Sequence, residues 1–255
     1  MDLCKKRYMI IACEVLFREI CLCAAKCRSV VSIKFVDQGL HNQGQIKMPK
    51  ELQAIIDGVE QDQYDAILLV YGLCNNGICG LRADIPLVVP RAHDCITLLL
   101  GSKERYLAYF NENPGTFFKS SGWNERDYDG TGTLVAGALA LRDDAIYEKY
   151  VELYGREEAD YLMEAMDPSQ IGYKKIAFID TGVGDVDVDR HISQNYADLK
   201  GWEFEELPGD TGLLFRMMNG EWSEDEFLVV PPRKEVAPSF DKTIIKDVDS
   251  EASGL

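Results

Sequence analysis

All eight cysteines of this 255-residue chain lie within its first 95 positions. They are Cys4, Cys13, Cys21, Cys23, Cys27, Cys74, Cys79 and Cys95. The first apolar run is interrupted by Glu14 and Arg18, so we predict no signal peptide and expect a cytoplasmic protein with reduced thiols. Thiolate sulfur is a soft ligand suited to zinc and iron–sulfur clusters. The first part of the chain is therefore where we expect chemistry.

Three of these cysteines follow apolar runs that are typical of strands. Cys13 ends MIIAC, Cys74 follows AILLVYGL, and Cys95 follows PLVVPRAHD. The carboxyl ends of parallel strands lie along one edge of a sheet, where ligands usually bind. We therefore predict a metal site at Cys13, Cys74 and Cys95. Three thiolates with one open position suit either a [4Fe–4S] cluster with one non-cysteine iron or a catalytic Zn²⁺.

The identity of the metal is left open by the neighbouring residues. His93 forms an H-x-C pair with Cys95, and a histidine ligand would favour zinc, whereas an all-sulfur set would favour iron–sulfur. His93 is thus a candidate metal ligand or catalytic proton donor, and Asp94 is a candidate catalytic partner that orients it. Cys79 lies in the same glycine-rich turn as Cys74 and competes with it as a ligand. Three unrelated thiols at strand ends are the alternative, since no C-x-x-C spacing is present.

Cys13 also stands where the first strand gives way to a helical pattern. A helix N-terminus carries partial positive charge, so we expect a lowered pKa and a thiolate at this position.

Candidate substrate contacts lie close to these cysteines. Arg91, Ser102 and Lys103 place cationic and hydroxyl groups near the loops, suited to a carboxylate or phosphate of a small-molecule substrate. Trp123 lies in a predicted long loop from Asn111 to Gly132, which would close over a ligand. Ordinary surface charge and anchoring of the loop to the core are the alternatives.

The apolar periodicity predicts the elements that position these residues. Strands are predicted at 5–13, 29–39, 65–71 and 85–89, and helices at 14–26, at 49–58 with Pro49 in the first turn, at 97–110 and over 134–166. Runs of Val, Ile and Leu closed by Gly, Asn or Pro indicate strands that are buried on both faces. The alternation predicts an α/β fold with predominantly parallel sheets flanked by helices.

The second part of the chain repeats this pattern loosely. YKKIAFIDTG resembles CKKRYMIIACE in its pattern, and DEFLVVPPR resembles YDAILLVYG. We predict two similar Rossmann-like halves, with chance matching of α/β patterns as the alternative. The predicted boundaries are a cysteine-containing half at 1–132, a helical connector at 133–170, a second half at 171–245 and a mobile tail at 246–255. At most one short strand is expected after residue 234.

The charge balance limits the partners. With 27 basic and 43 acidic residues the net charge is -16. Nucleic acids and anionic membranes are bound mainly through Lys and Arg, so we expect neither as a partner. No apolar segment approaches the ~20 residues of a membrane helix. A protein partner with a basic face remains compatible with this charge.

Seven segments carry a resemblance to a known family. IIACEVLFREI, VYGLCNNG, PRAHDCITLLLGS, NPGTFFKSSGW, DTGVGD, GWEFEELPGD and FLVVPPR resemble the domain of unknown function 1638 family over nearly the whole chain. Members occur in anaerobic archaea and bacteria, often encoded among corrinoid-dependent methyltransferase systems. The resemblance implies a role near one-carbon transfer, and the family's motif residues fall on Cys13, Cys74, His93 and Cys95.

Taken together, the residues and the resemblance predict a cysteine-ligated metal or iron–sulfur protein in corrinoid-linked methyl-group metabolism, either an enzyme or an enzyme accessory. As an enzyme it would carry out methyl transfer at zinc or iron–sulfur-dependent chemistry. The alternative is a non-catalytic acidic adaptor or metallochaperone that docks a methyltransferase or a corrinoid protein.

Overall fold

The computed structural model describes residues 5–74, 76–126, 151, 155–156, 172–239 and 241–250, with the backbone alone at 41–46. The strands are β1 (Arg7–Cys13), β2 (Val30–Val36), β3 (Ala66–Val70), β4 (Leu87–Pro90), β5 (Thr116–Lys119), β6 (Lys175–Asp180), β7 (Glu203–Pro208), β8 (Phe227–Val230), β9 (Lys234–Pro238) and β10 (Ile245–Asp249). The described α-helices are α1 (Phe17–Lys26), α2 (Gly44–Asp57), α3 (Cys95–Leu100), α4 (Lys103–Glu112), α5 (Ser121–Arg126), α6 (Val186–Lys200) and α7 (Gly212–Met218).

The chain divides into two compact units. The first comprises Met1–Ala108, Thr181–Val183 and Pro208–Leu255, and the second Tyr109–Asp180 and Gly184–Leu207.

A five-stranded sheet forms the centre of the first unit, in the order β2-β1-β3-β4-β8. The first four strands are parallel, and β8 pairs antiparallel with β4. Every residue of β3 is buried, and Ile10 and Ile11 of β1 are also fully buried. This pattern is typical of a parallel strand covered on both faces, and it confirms the mostly parallel α/β sheet expected from the apolar runs.

The second unit has a smaller sheet in the order β5-β6-β7, with β5 parallel to β6. Its core contains Ile176, Tyr196 and Ala197, against which the aromatic rings of Phe117 and Trp202 pack. Asp185 caps α6 by accepting a hydrogen bond from the Val188 N–H at 3.4 Å. The unit is therefore also a mixed α/β structure with a parallel strand pair.

The two similar Rossmann-like halves are not confirmed. The apolar strand β8, which the repeat assigns to the second half, pairs with β4 in the first sheet. Such pairing depends on contacts between distant parts of the chain, which local periodicity does not report.

Two predicted helices differ from those in the structure. The helix expected at 97–110 is two helices, α3 and α4, because Gly101 ends α3 in the left-handed conformation at φ 79°. The helix expected to start at Pro49 begins earlier, so Pro49 lies inside α2. Met48 is 2% exposed, and its Sδ would lie only 2.4 Å from a Cβ added at Gly77. Met48 therefore packs closely against Gly77, and this tertiary contact favours the earlier start of α2.

Two segments expected to be irregular contain regular structure. The long loop predicted over 111–132 includes β5 and α5, since β5 is stabilised by pairing with β6. The tail predicted from residue 246 includes most of β10, which forms an antiparallel pair with β9 where at most one strand was expected. Residues 127–132 and 251–255 lie outside the described part, as does nearly all of the helical connector predicted at 133–170.

Within the described residues, no helix is both long and apolar enough to span a membrane.

Replacing Gly101 with Ala will destabilise the first unit. The position has φ 79°, and an added Cβ would lie 2.7 Å from the Asp210 Cβ. We expect a loss of about 2–4 kcal/mol in the free energy of unfolding, measured by urea denaturation, from combined backbone strain and overpacking. Gly201→Ala is the matched control, because this helix-ending glycine has φ 67° and no atom within 4 Å of the added Cβ. Equal losses in the two variants would contradict a steric role for Asp210.

Candidate functional site

The carboxyl ends of β1 and β3 place Cys13 beside Tyr71. The two strands are parallel neighbours, and Ala12 of β1 is paired with Val70 of β3. One residue further along, Cys13 and Tyr71 are each 2% exposed. Registered neighbours on parallel strands direct their side chains to the same face. Burial raises the pKa of Tyr71, and negative charge on Cys13 raises it further, so the two side chains lie within electrostatic reach of each other.

Cys74 lies three residues beyond Tyr71 in a tight turn. Its backbone is in the left-handed region at φ 47°, which is uncommon for a residue with a side chain. The turn is held by the Cys74 N–H, which donates to the His93 carbonyl at 2.8 Å, and by the Gly77 N–H, which donates to the Cys74 carbonyl at 3.1 Å. Strained backbone of this kind concentrates at functional sites.

Gly72 allows the loop after β3 to approach the loop after β4. A Cβ at this position would lie 2.6 Å from the backbone of Asp94. The Leu73 N–H then donates to the Ala92 carbonyl at 2.8 Å. The two loops therefore run side by side, and they hold Cys74 close to Asp94.

Asp94 fixes the start of α3. Its carboxylate accepts hydrogen bonds from the Ile96 N–H at 3.0 Å, from the Thr97 N–H at 3.4 Å and from the Tyr106 hydroxyl at 2.9 Å. Burial raises the pKa of Asp94, while these hydrogen bonds and the nearby His93 oppose the increase. Asp94 is therefore an N-cap. Its predicted catalytic role remains a prediction.

The electrostatic surroundings of Cys13 and Cys74, hereafter the thiol pair, are acidic. Burial raises the pKa of Cys13 to about 11, and Glu14 and Asp37 add to the increase. Burial also raises the pKa of Cys74. Asp94 and Cys13 raise it further, by smaller amounts. Both sulfurs are therefore thiols at neutral pH in the metal-free protein. The charged groups that act on them are carboxylates.

The expected thiolate at Cys13 is thus corrected. A three-residue 3-10 turn, Glu14–Leu16, separates Cys13 from α1, which begins only at Phe17. The backbone of Val15 lowers the pKa of Cys13, but burial has the larger effect. A helix N-terminus affects charge only within its first turn.

The other two predicted ligands lie in the loop after β4 and at the start of α3. Cys95 is the first residue of α3 and is 7% exposed, whereas His93 is exposed and its carbonyl is bonded to Cys74. Across the described residues, no group of three or more His, Cys, Asp or Glu side chains is arranged to hold a metal ion. The structure therefore places Cys13 and Cys74 within electrostatic reach of each other and does not assemble the three-cysteine set. It does not fit a complete four-ligand zinc or cluster site.

Cys79 lies in the same turn but in different surroundings. It is partly buried, and burial alone raises its pKa to about 11, without an effect from Cys13 or Asp94. Cys74 is therefore the cysteine of this turn that interacts with Cys13.

The predicted substrate residues of the first unit contact the protein itself. Arg91 donates to the carbonyls of Glu224, Thr243 and Ile245 at 2.7, 2.9 and 2.5 Å. Lys103 donates to the Asp225 carbonyl at 2.6 Å. These contacts tie the segments around β8 and β10 to the chain, so they give the two cations structural functions.

Ser102 and Trp123 are the remaining substrate candidates. The Ser102 hydroxyl accepts a hydrogen bond from the Arg105 N–H at 3.0 Å and so caps α4. Trp123 is a partly buried residue on α5 of the second unit, and its buried indole N–H has no hydrogen-bond partner in the described structure. Substrate binding by these four residues remains a prediction.

Tyr71 and Glu14 were missed as site residues by sequence reasoning. Tyr71 is coupled electrostatically to both thiols and to Glu14. The sequence did offer one indication of this role. Tyr71 directly follows the apolar run of a buried strand, which places it at the edge of the sheet. Finding it required the strand register, which the sequence pattern does not supply.

A groove of about 500 Å³ lies elsewhere on the first unit, lined by residues including Gln53, Arg82, Asp84 and Arg233. It is near the amino end of β4, the opposite edge from the thiol pair. Its arginines are accompanied by carboxylates, with Arg82 2.6 Å from Glu235 and Arg233 3.8 Å from Asp84. The charges that line this groove therefore favour neither an anionic nor a cationic ligand.

Fold and site together define a mixed α/β protein with two buried thiols at the carboxyl edge of a mainly parallel sheet. Residues 35–218 match the family described as protein of unknown function (DUF1638). This range covers most of the chain, and the chain belongs to that family. No curated protein and no solved structure matches it.

Replacing Asp94 with Ala will destabilise the loop that faces Cys74. The change removes the helix cap and the buried partner of Tyr106, so we expect the free energy of unfolding to fall by about 2–4 kcal/mol. Asp94→Asn keeps an oxygen for capping and should recover at least half of this loss in urea denaturation. A loss below about 0.5 kcal/mol for Asp94→Ala would show that the cap does not hold the loop.

The raised pKa of Cys13 predicts a loss of stability at alkaline pH. The folded chain keeps the proton that the unfolded chain releases near 9.0, so stability falls as pH rises from 9.0 to about 11. Cys13 contributes about 2–3 kcal/mol of this fall. Urea denaturation at a series of pH values should therefore show a shallower fall for metal-free Cys13→Ala than for metal-free wild type. Parallel curves would contradict the raised pKa.

Proposed function

We propose that this protein binds a soft metal centre through Cys13 and Cys74, and that it acts in corrinoid-linked methyl-group metabolism as an enzyme or an enzyme accessory. The centre would be Zn²⁺ or a [4Fe–4S] cluster. Cys95, His93 or an external molecule would supply the remaining ligands, after a local rearrangement of the loop that carries them.

The observation that carries the proposal is the acidic setting of the thiol pair. Two sulfurs at and beyond the ends of neighbouring strands lie within electrostatic reach of one another, and Glu14, Asp37 and Asp94 disfavour ionisation of one or the other. A soft cation would relieve this by replacing the protons and neutralising the thiolates. Without a cation, these acidic surroundings would give the buried thiols no stabilisation.

The left-handed turn at Cys74 supports the same proposal. Its φ of 47° is maintained by the hydrogen bonds to His93 and Gly77, and these bonds restrain the backbone that carries the sulfur. Rigid placement of a ligand lowers the entropy lost when a metal binds.

The methyl-group context comes from the family resemblance alone. With zinc, the metal would hold a substrate nucleophile as its anion. With a cluster, the centre would act as a Lewis acid or pass electrons to a corrinoid. In both cases the protein's own contribution would be to hold the centre at the sheet edge through the thiol pair.

Metal analysis after anaerobic purification tests the proposal. We expect about four irons per chain with a brown colour if the centre is a cluster, or one zinc per chain if it is not. Cys13→Ser and Cys74→Ser should each lower the metal content at least tenfold. Cys79→Ser is the matched control, because this cysteine shares the turn with Cys74 and should leave the metal content unchanged.

Two outcomes would overturn the proposal. Wild-type protein without bound metal, which also takes up no Zn²⁺ or reconstituted cluster, would exclude the centre. Metal that persists in both serine variants but disappears in Cys79→Ser would move it away from the thiol pair.

The acidic adaptor or metallochaperone is the second candidate, supported by the net charge of -16. A metal-free Cys13→Ser/Cys74→Ser variant distinguishes the two functions. An adaptor would still bind a purified corrinoid protein in gel filtration, whereas a metal-dependent enzyme would show no methyl transfer or corrinoid reduction.

A further inference from the structure

Strand β2 forms one edge of the five-stranded sheet. Among the described strands it pairs with β1 alone, in parallel. The Val30 N–H donates to the Lys6 carbonyl at 2.8 Å, on the side of β1. Because successive residues of a strand direct their backbone groups to opposite sides, Val31, Ile33 and Phe35 direct their N–H and C=O groups away from β1. β2 therefore presents a row of backbone donors and acceptors at the outer edge of the sheet.

This edge differs from the other described edges of the five-stranded and three-stranded sheets. β2 is seven residues long, contains no Gly or Pro, and has Lys34 as its one charged residue. The edge strands β5 and β8 are four residues long, and β7 carries the carboxylates of Glu203, Glu205 and Glu206. Short length and charge are common protections of an edge strand against pairing with another chain. Of these edges, β2 is therefore the one best suited to such pairing.

Apolar side chains accompany the backbone on both faces of β2. On one face Phe35 packs against Phe17, which is 40% exposed, with ring centroids 4.8 Å apart. On the other face Val30 is also 40% exposed. A groove of about 480 Å³ adjoins this second face, and its lining includes Met9, Lys34, Ile55 and Val59. A strand added at this edge would therefore extend apolar surface on both faces of the sheet.

A second copy of the chain can supply the added strand with a well-defined register. A two-fold axis at Ile33 pairs all seven residues of β2 with those of the copy. It opposes apolar residues to apolar residues and each lysine to a serine: Ile33 to Ile33, Val31 to Phe35, Val30 to Val36 and Ser32 to Lys34. An axis at Ser32 or at Lys34 would pair only residues 30–34 or 32–36, and the latter would set two lysines directly opposite each other.

The same axis matches the hydrogen-bonding groups. In an antiparallel pair, residues that direct their N–H and C=O groups toward the partner strand lie opposite one another and exchange both hydrogen bonds. Val31, Ile33 and Phe35 of one copy lie opposite Phe35, Ile33 and Val31 of the other. Every outward backbone donor of β2 thus obtains an acceptor.

The two ends of β2 carry opposite charges. Arg28 precedes the strand with a side chain that is 84% exposed, and the exposed Asp37 follows the strand. Antiparallel pairing brings Arg28 of each copy to the end where Asp37 of the other copy lies, which favours association. Arg28 also contacts Glu221 of its own chain at 3.4 Å, but a guanidinium has five N–H donors and can bind a second carboxylate.

The net charge of -16 opposes the approach of two copies at long range. At the physiological ionic strength of about 0.15 M, exposed charges more than about 8 Å apart are largely screened. Contacts at the strand edge therefore outweigh this repulsion under such conditions.

We propose that β2 pairs antiparallel with β2 of a second copy of this chain about a two-fold axis at Ile33, so that one sheet continues through both copies. A two-fold contact uses the same edge of both copies and leaves no further edge for a third copy to join there, so the product is a closed dimer. The inference does not depend on the proposed metal centre.

Sedimentation velocity of the full-length chain at about 0.15 M ionic strength tests the dimer. We expect wild type to sediment with twice the mass of one chain. Ile33→Lys and Ile33→Glu each set two like charges opposite one another at the axis, so each should weaken dimerisation about 100-fold or more. An equimolar mixture of the two variants sets a lysine opposite a glutamate and should restore a mixed dimer.

Val229→Lys is the matched control. Val229 is 40% exposed, as Val30 is, but lies on β8 at the opposite edge of the same sheet. Its replacement should leave the dimer intact. Circular dichroism will establish that the three variants are folded, and Ile33 tolerates replacement because it is only partly buried in one chain.

Hydrogen exchange of wild type is a second measurement that needs no substitution. Peptides that cover residues 30–36 should exchange several-fold more slowly at concentrations where the dimer predominates than after dilution to the monomer, because the outward N–H groups become paired. Peptides that cover β8 should exchange at the same rate in both. If either Ile33 variant is unfolded, this measurement alone decides.

Three results would overturn the proposal. Wild type that is monomeric at every concentration at which it stays in solution would exclude the second copy and leave the edge to an extended segment of another protein. A dimer that persists in Ile33→Lys, or β2 peptides whose exchange does not change on dilution, would place the contact elsewhere. Folded Ile33 variants that stay monomeric when mixed would contradict the two-fold axis at this residue.

Discussion

The parallel pairing of β1 with β3 is the constraint on which the candidate site depends. Because Ala12 is in register with Val70, the next residues bring a thiol and a phenol together at a buried edge. A shift of one residue would turn one of these side chains to the opposite face of the sheet. The chemistry of the edge is thus a consequence of backbone hydrogen bonding between segments more than fifty residues apart in the chain.

Close approach of two loops completes this edge. Gly72 lets the loop after β3 contact the Asp94 backbone, and Asp94 in turn caps α3 and accepts a hydrogen bond from Tyr106. The left-handed turn at Cys74 is held by the His93 carbonyl. Residues that sequence reasoning considered for catalysis therefore also build the frame that holds Cys74. Asp94 and His93 contribute to that frame through a carboxylate and a backbone carbonyl.

Burial and charge decide the protonation of the site. The pKa of Cys13 rises to about 11 because the sulfur is desolvated, and the nearby carboxylates increase it further. A helix N-terminus would favour the thiolate, but α1 starts only at Phe17, and the backbone of Val15 in the preceding 3-10 turn lowers the pKa of Cys13 by less than burial raises it. The thiol pair is consequently protonated at neutral pH.

The sequence by itself determined the α/β class, the strands β1, β2, β3 and β4, and the placement of Cys13 and Cys74 beyond strand ends, because periodicity and apolar runs report local burial. Only the tertiary structure decided that β8 joins the first sheet, that β5 and β10 are strands, and that Tyr71 follows β3 in register with Cys13. These features depend on pairing register and on burial by distant segments. Neither is encoded in the spacing of residues along the chain, so three cysteines with equivalent sequence settings acquired different surroundings.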